Sequence, residues 1–456
     1  MVMQDSQTRF IARVTAFDEN RQRQIASAAS APIVPEDLHM LLEDYLHITR
    51  VRRSNALPLF RVQMTLLSEL VSCERAIAHY KAELIKRADL PAVGSADKAD
   101  IDAEIRSIKR ELHFHEMERR AIRDIGDGIA WRLFDYDRAI LQELASRASG
   151  KHVNLEGIEA ELHEFGHVFN SQQGIAILND LTHFLKLGDL TIRKDDGSFE
   201  FIEVKTKGKT GGRITRQRQD LRRTVTFFNV GEREEVDGRQ SIVELQIRPE
   251  TFAANINRLI AEASKKGTAV QRIGEHLIVG CVDFLKAVEI GDATFPAIPD
   301  QIKDWLSEWA QKDDLVIDCL SADRYLEVKS FAPVSIFPFS EAARVKLMTG
   351  ALSLMAFVNV SEFLKYCEQR GWKVVKTFDE HLEEAEKSGG GKSFRMATIQ
   401  KGPLTLQLPG PLVARLGFEF LKPKTLVDAY EAQLALGEPA TKMSFPNFSG
   451  EPEIWD

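Results

Sequence analysis

Cysteine is scarce in this chain of 456 residues, which contains four. Cys73, Cys281, Cys319 and Cys367 are widely separated and form no C-x-x-C pair, which argues against a cysteine zinc site and predicts buried, inert thiols. No apolar run reaches the roughly 18 residues of a membrane span, so no membrane partner is expected. The first residues lack the basic-then-apolar pattern of a signal peptide. Together these absences predict a cytoplasmic protein.

An excess of basic residues is also lacking, because 60 Lys and Arg face 68 Asp and Glu, for a formal net charge of -8. This balance argues against a uniformly basic nucleic-acid binder, although it permits a local basic surface. No G-x-x-x-x-G-K-[ST] loop occurs, so no built-in ATPase is indicated. The length predicts two to four domains.

Residues 1–150 have the pattern of helices. Two segments carry apolar residues at alternating spacings of three and four, which is typical of packed helices. They contain Leu66, Leu70, Cys73, Ile77, Tyr80 and Leu84, and then Ile101, Ile105, Ile108 and Leu112. A turn-rich break at 90–97 separates them, so the sequence predicts an antiparallel helical hairpin. It could serve as a spacer, as a homodimer arm or as a docking site for a partner protein.

From about residue 155 the pattern changes to mixed α/β, and we predict an α+β multidomain fold. Four regions follow: a helical arm (1–150), a central core (151–250), an α/β extension of it (251–385) and a small β-rich region with a tail (386–456). The expected strands are 189–193, 199–206, 242–248, 276–283, 315–320, 325–331 and 356–360. Helices are expected at 215–228, 251–264 and 341–355, and at 174–185, where the helix would run directly into Gly188.

The most informative stretch is a predicted pair of strands joined by the polar turn 194–198. Strand alternation places Phe201, Glu203 and Lys205 on one face of the second strand. A carboxylate and an ammonium group inside an apolar strand are costly to bury without partners. A second acid, Asp189, begins the neighbouring strand. Two carboxylates and a lysine that converge there can hold a divalent metal and a phosphate together.

After Lys205 the chain becomes strongly basic. A glycine-containing loop leads to a predicted helix that Thr215 can cap. The amide groups at the start of this helix and the basic side chains both favour an anion. The expected nucleic-acid contacts are Lys207, Lys209, Arg213, Arg216, Arg218 and Arg222.

This order of an acid, an E-x-K strand and a basic helix resembles the PD-(D/E)XK nuclease superfamily, which has the restriction-endonuclease-like fold. The resemblance covers about residues 155–250. It implies that Asp189 and Glu203 bind Mg²⁺ or Mn²⁺ with help from the Val204 carbonyl group. It also implies that Lys205 orients or activates the attacking water. Support from the following helix would come from Gln217 or Gln219.

The resemblance also implies a function, that of a Mg²⁺-dependent endonuclease, and DNA is favoured over RNA as its substrate. Many members have a glutamate on a helix before the sheet, and Glu161, Glu164 and Asp180 compete for that role here. A large helical arm beside such a core resembles the build of bacterial restriction or anti-phage defence effectors. A catalytically inactive nucleic-acid-binding or assembly scaffold is the non-enzymatic alternative, since fold similarity does not establish activity.

A second E-x-K occurs at Glu327 and Lys329, with Asp318 upstream. No basic cluster follows it, so the first copy is preferred as the site. The second copy fits either a structural strand or a degenerate duplicate.

A rival motif is H-E-x-x-H, formed by His163, Glu164 and His167. On a helix the two histidines share one face, so they could bind Zn²⁺ while the glutamate polarises a water. This pattern resembles zinc metallopeptidases. A third protein ligand is needed, and His183 or Asp180 could supply it. The rival leaves the acid–lysine strand pair and the arginine helix unexplained.

Overall fold

The structure is a computed structural model. It describes residues 56–88, 95–134, 141, 144, 158–171, 174–185, 188–204, 232–235, 238–244, 249–289, 300–312, 314–320, 332–388, 395–435 and 442–444. Within these ranges, none of the helices combines the length and the apolar character needed to cross a membrane.

Helices and strands alternate along most of the described chain, which confirms a mixed α/β architecture. The helices are α1 (Ala56–Ala88), α2 (Ser95–Leu133), α3 (Ile158–Ser171), α4 (Ala253–Lys266), α5 (Phe284–Glu289), α6 (Asp300–Gln311), α7 (Glu341–Met348), α8 (Val360–Gln369), α9 (Phe378–Ser388), α10 (Gly410–Phe418) and α11 (Pro423–Ala435). The strands are β1 (Ile175–Leu178), β2 (Leu190–Arg193), β3 (Phe199–Ile202), β4 (Glu232–Glu235), β5 (Gly238–Glu244), β6 (Thr268–Ile273), β7 (Leu277–Asp283), β8 (Val316–Leu320), β9 (Leu352–Asn359), β10 (Lys373–Lys376), β11 (Arg395–Lys401), β12 (Leu404–Pro409) and β13 (Lys442–Ser444).

One compact unit comprises residues 33–246, 332–337 and 440–456. Helices α1 and α2 form the predicted antiparallel hairpin, because ion pairs join Arg87 to Glu104 and, further from the turn, Glu74 to Arg119. The predicted apolar positions of α1 are buried, from Leu66 to Ile77. Hydrophobic periodicity therefore identified this element correctly.

Strands β1, β2 and β3 of the same unit form an antiparallel sheet in that order. Helix α3 precedes β1 in the chain and packs against α1 through stacked rings, since Phe60 contacts both Phe165 and Phe169 at centroid distances of 4.9 and 4.5 Å. A second small sheet has the order β13-β5-β4, in which β13 runs parallel to β5.

The other compact unit comprises residues 1–32, 247–331 and 338–439. Its larger sheet has the order β6-β7-β9-β8 with antiparallel pairing throughout. Every residue of the neighbouring strands β7 and β9 is buried. Apolar side chains of α6, among them Ile302 and Trp309, pack on one face of this sheet. Strands β10, β11 and β12 form a separate antiparallel sheet.

Two predicted helices are wrong in whole or in part. Helix α7 ends at Met348, and the predicted remainder of 341–355 turns at Gly350, with φ +72, into strand β9. Residues 174–185 form strand β1 and then a 3-10 helix, Asn179–Leu181. The strand portions of both segments, 175–178 and 352–355, are short and mostly apolar, and such runs fit a buried strand as well as a helix.

Other predictions have mixed outcomes. The predicted strands at 276–283 and 315–320 correspond to β7 and β8. The expected strand 325–331 and helix 215–228 lie outside the described residues. Cys73, Cys281 and Cys367 are buried thiols, as predicted. The division into four regions stays a prediction.

Candidate active site

Asp189 and Glu203 lie opposite each other where β2 begins and β3 ends. The register of the two strands ends with Leu190 opposite Ile202, and Asp189 and Glu203 follow directly beyond that pair. The Asp189 amide donates to the Ile202 carbonyl at 2.7 Å, and the Val204 amide donates to Asp189 Oδ2 at 2.6 Å. Burial and the charge of Glu203 both raise the pKa of Asp189, so the two carboxylates lie within electrostatic reach of each other. That both acids share one face of the sheet stays a prediction.

Gly188 shapes the entry into β2. Its φ is +72, a left-handed conformation that glycine adopts without strain. A Cβ atom at this position would lie 2.6 Å from the Ile202 carbonyl oxygen. The close approach of the two backbones holds Asp189 against the end of β3.

Two further carboxylates join this pair, Glu161 from α3 and Asp180 from the 3-10 helix. Glu161 is 6% exposed, and burial, followed by the charges of Asp180, Asp189 and Glu203, raises its pKa to about 8. Burial first, and then Glu203 and Asp180, raise the pKa of Asp189 to about 6, although the hydrogen bond from the Val204 amide opposes the rise. We call these four acids the carboxylate cluster.

The carboxylate cluster has the chemistry of a site for a hard divalent cation. Asp189 is half-buried and Glu203 is exposed, so the cluster reaches solvent. Among the described residues, no three ligand atoms of the cluster lie within 4.8 Å of one another. An open set of carboxylates suits Mg²⁺, which is usually held by one or two carboxylates and keeps several waters.

Asn179 fixes the position of Asp180 relative to Asp189. Its buried side chain donates to the Gly188 carbonyl at 3.1 Å and accepts from Thr191 Oγ1 at 2.8 Å. Its backbone amide donates to the Asp189 carbonyl at 2.9 Å. These three bonds join the 3-10 helix to the start of β2.

Gln63 of α1 holds the free edge of the sheet. Its buried side-chain amide donates to the Ala176 carbonyl at 2.9 Å and accepts from the Leu178 amide at 2.9 Å. The side chain thus satisfies the two edge groups of β1 that a further strand would otherwise satisfy. The hairpin therefore supports the strand that leads into Asp180.

The glycine-containing stretch 125–132 belongs to the last turns of α2, where Trp131 is buried. A Cβ atom at Gly126 would lie 1.8 Å from the Leu181 carbonyl oxygen. Asp127 accepts from the His183 amide at 2.8 Å, and its other oxygen lies 2.7 Å from His183 Nδ1. This stretch is the surface on which the 3-10 helix and its following turn dock.

The structure brings together the three predicted metal ligands, Asp189, Glu203 and Val204, and adds Glu161 and Asp180 from the acids that competed for the helix position. The remaining predicted site residues lie outside the described residues. They are Lys205, Gln217, Gln219, Lys207, Lys209, Arg213, Arg216, Arg218 and Arg222. Asn179 and Gln63 were not anticipated, because their partners are main-chain and distant groups that no local pattern reveals.

The rival histidines lie on the outer part of α3. His163 and His167 are both exposed. Among the described residues, neither belongs to a group of three ligand atoms within 4.8 Å. His183, a predicted third ligand, is bound to Asp127. The second E-x-K pair lies outside the described residues.

Comparison with protein families, curated proteins and solved structures finds no match. The choice among the candidate functions therefore depends on the carboxylate cluster and its surroundings.

Proposed function

We propose that this protein is a Mg²⁺-dependent nuclease that hydrolyses phosphodiester bonds, with DNA as the favoured substrate. The observation that carries the proposal is the carboxylate cluster, in which burial and the charges of neighbouring acids raise the pKa of Glu161 and of Asp189. Crowded carboxylates are unfavourable unless a proton or a cation offsets their charge. A bound divalent cation would offset the repulsion between these carboxylates.

The donor set fits Mg²⁺ because every side-chain donor is a carboxylate oxygen. Asp189 and Glu203, which lie just beyond the paired ends of β2 and β3, would hold the ion. When bound, Mg²⁺ would neutralise charge on the scissile phosphate and activate the attacking water. Glu161 and Asp180 would anchor waters of the ion or accept a proton, since both lie within electrostatic reach of the pair.

The order of elements also supports the proposal. A helix that carries Glu161 comes first, and an antiparallel meander follows, with Asp189 before its second strand and Glu203 after its third. This agrees with the resemblance to the PD-(D/E)XK superfamily, in which many members place a glutamate on the helix before the sheet. The sequence pattern assigns Lys205 to the orientation of the attacking water, next to Val204 in the chain. We also propose that this nuclease acts in restriction or anti-phage defence.

The test is a cleavage assay on supercoiled plasmid and on structured RNA, each in Mg²⁺ and in EDTA. The variants are Asp189→Asn and Lys205→Ala, because one removes a metal ligand and the other the proposed water-orienting group. Asp195→Asn is the matched control, since this acid is exposed in the turn between β2 and β3. We expect cleavage that requires Mg²⁺ and is lost in both site variants but not in the control.

Two other outcomes would each favour one of the alternative functions over the nuclease. Peptide hydrolysis that depends on zinc, His163 and His167 would establish the metallopeptidase instead. Specific nucleic-acid binding without turnover, unchanged in Asp189→Asn, would establish a binding scaffold.

A further inference from the structure

A second cluster of metal-ligand residues lies between the two helices of the hairpin, apart from the carboxylate cluster. Cys73 comes from α1, whereas His115 and Glu118 come from α2. The thiol sulfur, a ring nitrogen and a carboxylate oxygen all lie within 4.8 Å of one another. His115 Nδ1 is 3.1 Å from Glu118 Oε2. Among the described residues, this is the one group of three such atoms at that spacing.

The three side chains form a donor set that suits zinc. Sulfur from cysteine, nitrogen from histidine and oxygen from a carboxylate are all common zinc ligands. His115 and Glu118 are three residues apart on α2, so they share one face of the helix. A thiolate and a carboxylate together would neutralise the charge of one Zn²⁺ ion. A cation here would bond to both helices at once.

The surroundings favour a ligand role for these groups. Cys73 is 1% exposed, and its thiol forms a hydrogen bond with Glu118, which holds the sulfur beside that carboxylate. The ring of Tyr80 stacks on His115 at 5.7 Å and helps to fix its orientation. Glu74, beside Cys73, is already engaged by Arg119 and Arg123. Its carboxylate is therefore already paired with arginine and does not compete with Glu118 for a cation.

We propose that Cys73, His115 and Glu118 bind one Zn²⁺ ion, which cross-links α1 and α2 and stabilises the hairpin. The thiol loses its proton to solvent as the sulfur–zinc bond forms, so binding releases about one proton per ion. The side chains of His115 and Glu118 are 22% and 15% exposed, which leaves a route for the ion. Water completes the fourth position of the tetrahedron.

The experiment uses the full chain, stripped of metal with EDTA and then titrated with Co²⁺ as an optical probe for the zinc site. A thiolate–cobalt bond gives a charge-transfer band, and Zn²⁺ added afterwards should remove it. The variants are Cys73→Ser, His115→Gln and Glu118→Gln. The matched controls are Cys367→Ser, a buried thiol of the other unit, and His113→Gln, an exposed histidine on α2.

We expect the band in the wild-type protein and in both controls, and its loss in Cys73→Ser. Added Zn²⁺ should raise the thermal unfolding temperature of the wild-type protein and of His113→Gln, but not that of His115→Gln. Because His115 is partly exposed, this variant should fold even if replacement of the buried thiol prevents folding.

Three results would overturn the proposal. One is a wild-type protein that shows no thiolate–cobalt band. Another is a band or a zinc-induced stabilisation that survives in Cys73→Ser or in His115→Gln. The third is zinc binding that disappears only when His163 and His167 are replaced, because that would place the ion on α3. Cleavage activity is not needed for any of these measurements, so failure of the nuclease proposal is distinguishable from failure of this one.

Discussion

The carboxylate cluster makes the replacement of Glu161 by glutamine an informative perturbation. The pKa of this buried side chain rises from an ordinary value of 4.5 to about 8 in the folded protein. Between these values the folded protein binds more protons than the unfolded chain, so the free energy of unfolding falls as the pH rises. At about 1.4 kcal/mol for each unit of pKa, the loss reaches about 3 kcal/mol by pH 7.

Glutamine has nearly the shape of protonated glutamate but cannot ionise, so Glu161→Gln should remove this loss. We expect the variant to be more stable than the wild-type protein by about 2–3 kcal/mol at neutral pH in EDTA. It should also lose most of the decline in stability between pH 4.5 and pH 8. In Mg²⁺ the advantage should shrink, because a bound cation offsets the same repulsion in the wild-type protein.

The assay is urea denaturation in EDTA across this pH range, combined with hydrogen exchange of the amides in β1–β3. Hydrogen exchange reports the stability of this region separately from that of the other compact unit. Glu159→Gln is the matched control, because this acid is exposed on the same helix and should change stability by less than about 0.5 kcal/mol. A Glu161→Gln variant that keeps the wild-type pH dependence would refute the reasoning.

Two further predictions concern the residues that support the cluster. Gln63→Ala should destabilise the protein by about 2–5 kcal/mol, since it leaves a buried amide and a buried carbonyl of β1 without partners; urea denaturation measures the loss. Gly126→Ala should destabilise by about 1–3 kcal/mol and lower cleavage, because the new methyl group must displace the backbone of Leu181. Gly166→Ala is its control, since no atom lies within 4 Å of the added group and stability should rise by about 0.5–1 kcal/mol. Equal changes in stability for Gly126→Ala and Gly166→Ala would contradict the close approach of Gly126 to the Leu181 carbonyl group.

Elements whose burial follows a simple period could be predicted from the sequence. The hairpin was recognisable because apolar side chains recur along one face of each helix, and β2 and β3 because a polar turn joins two short apolar segments. Strand β1 was missed and the first residues of β9 were assigned to a helix, since short apolar runs without alternation fit either element. Residues 175–178 form a strand because they pair with β2 and bind Gln63, which is 115 residues from Leu178 in the sequence.

The candidate site could be predicted only in part, for the same reason. The pairing of β2 with β3 across a short turn brings Asp189 near Glu203 without any distant contact. The choice of Glu161 and Asp180 as their neighbours depends on the docking of α3 and on the contact between Gly126 and Leu181. The Cys73 cluster joins residues more than forty positions apart on two helices, and no short motif encodes it. The role of Lys205 and the basic contacts after it stay predictions.

The most direct test of the central claim is anomalous diffraction from crystals of the wild-type protein soaked in Mn²⁺, which replaces Mg²⁺ at oxygen sites. We expect an anomalous peak about 2.0–2.6 Å from carboxylate oxygens of Asp189 and Glu203. A protein that takes up Mn²⁺ with no peak at these two acids, or with its peak between His163 and His167, would contradict it.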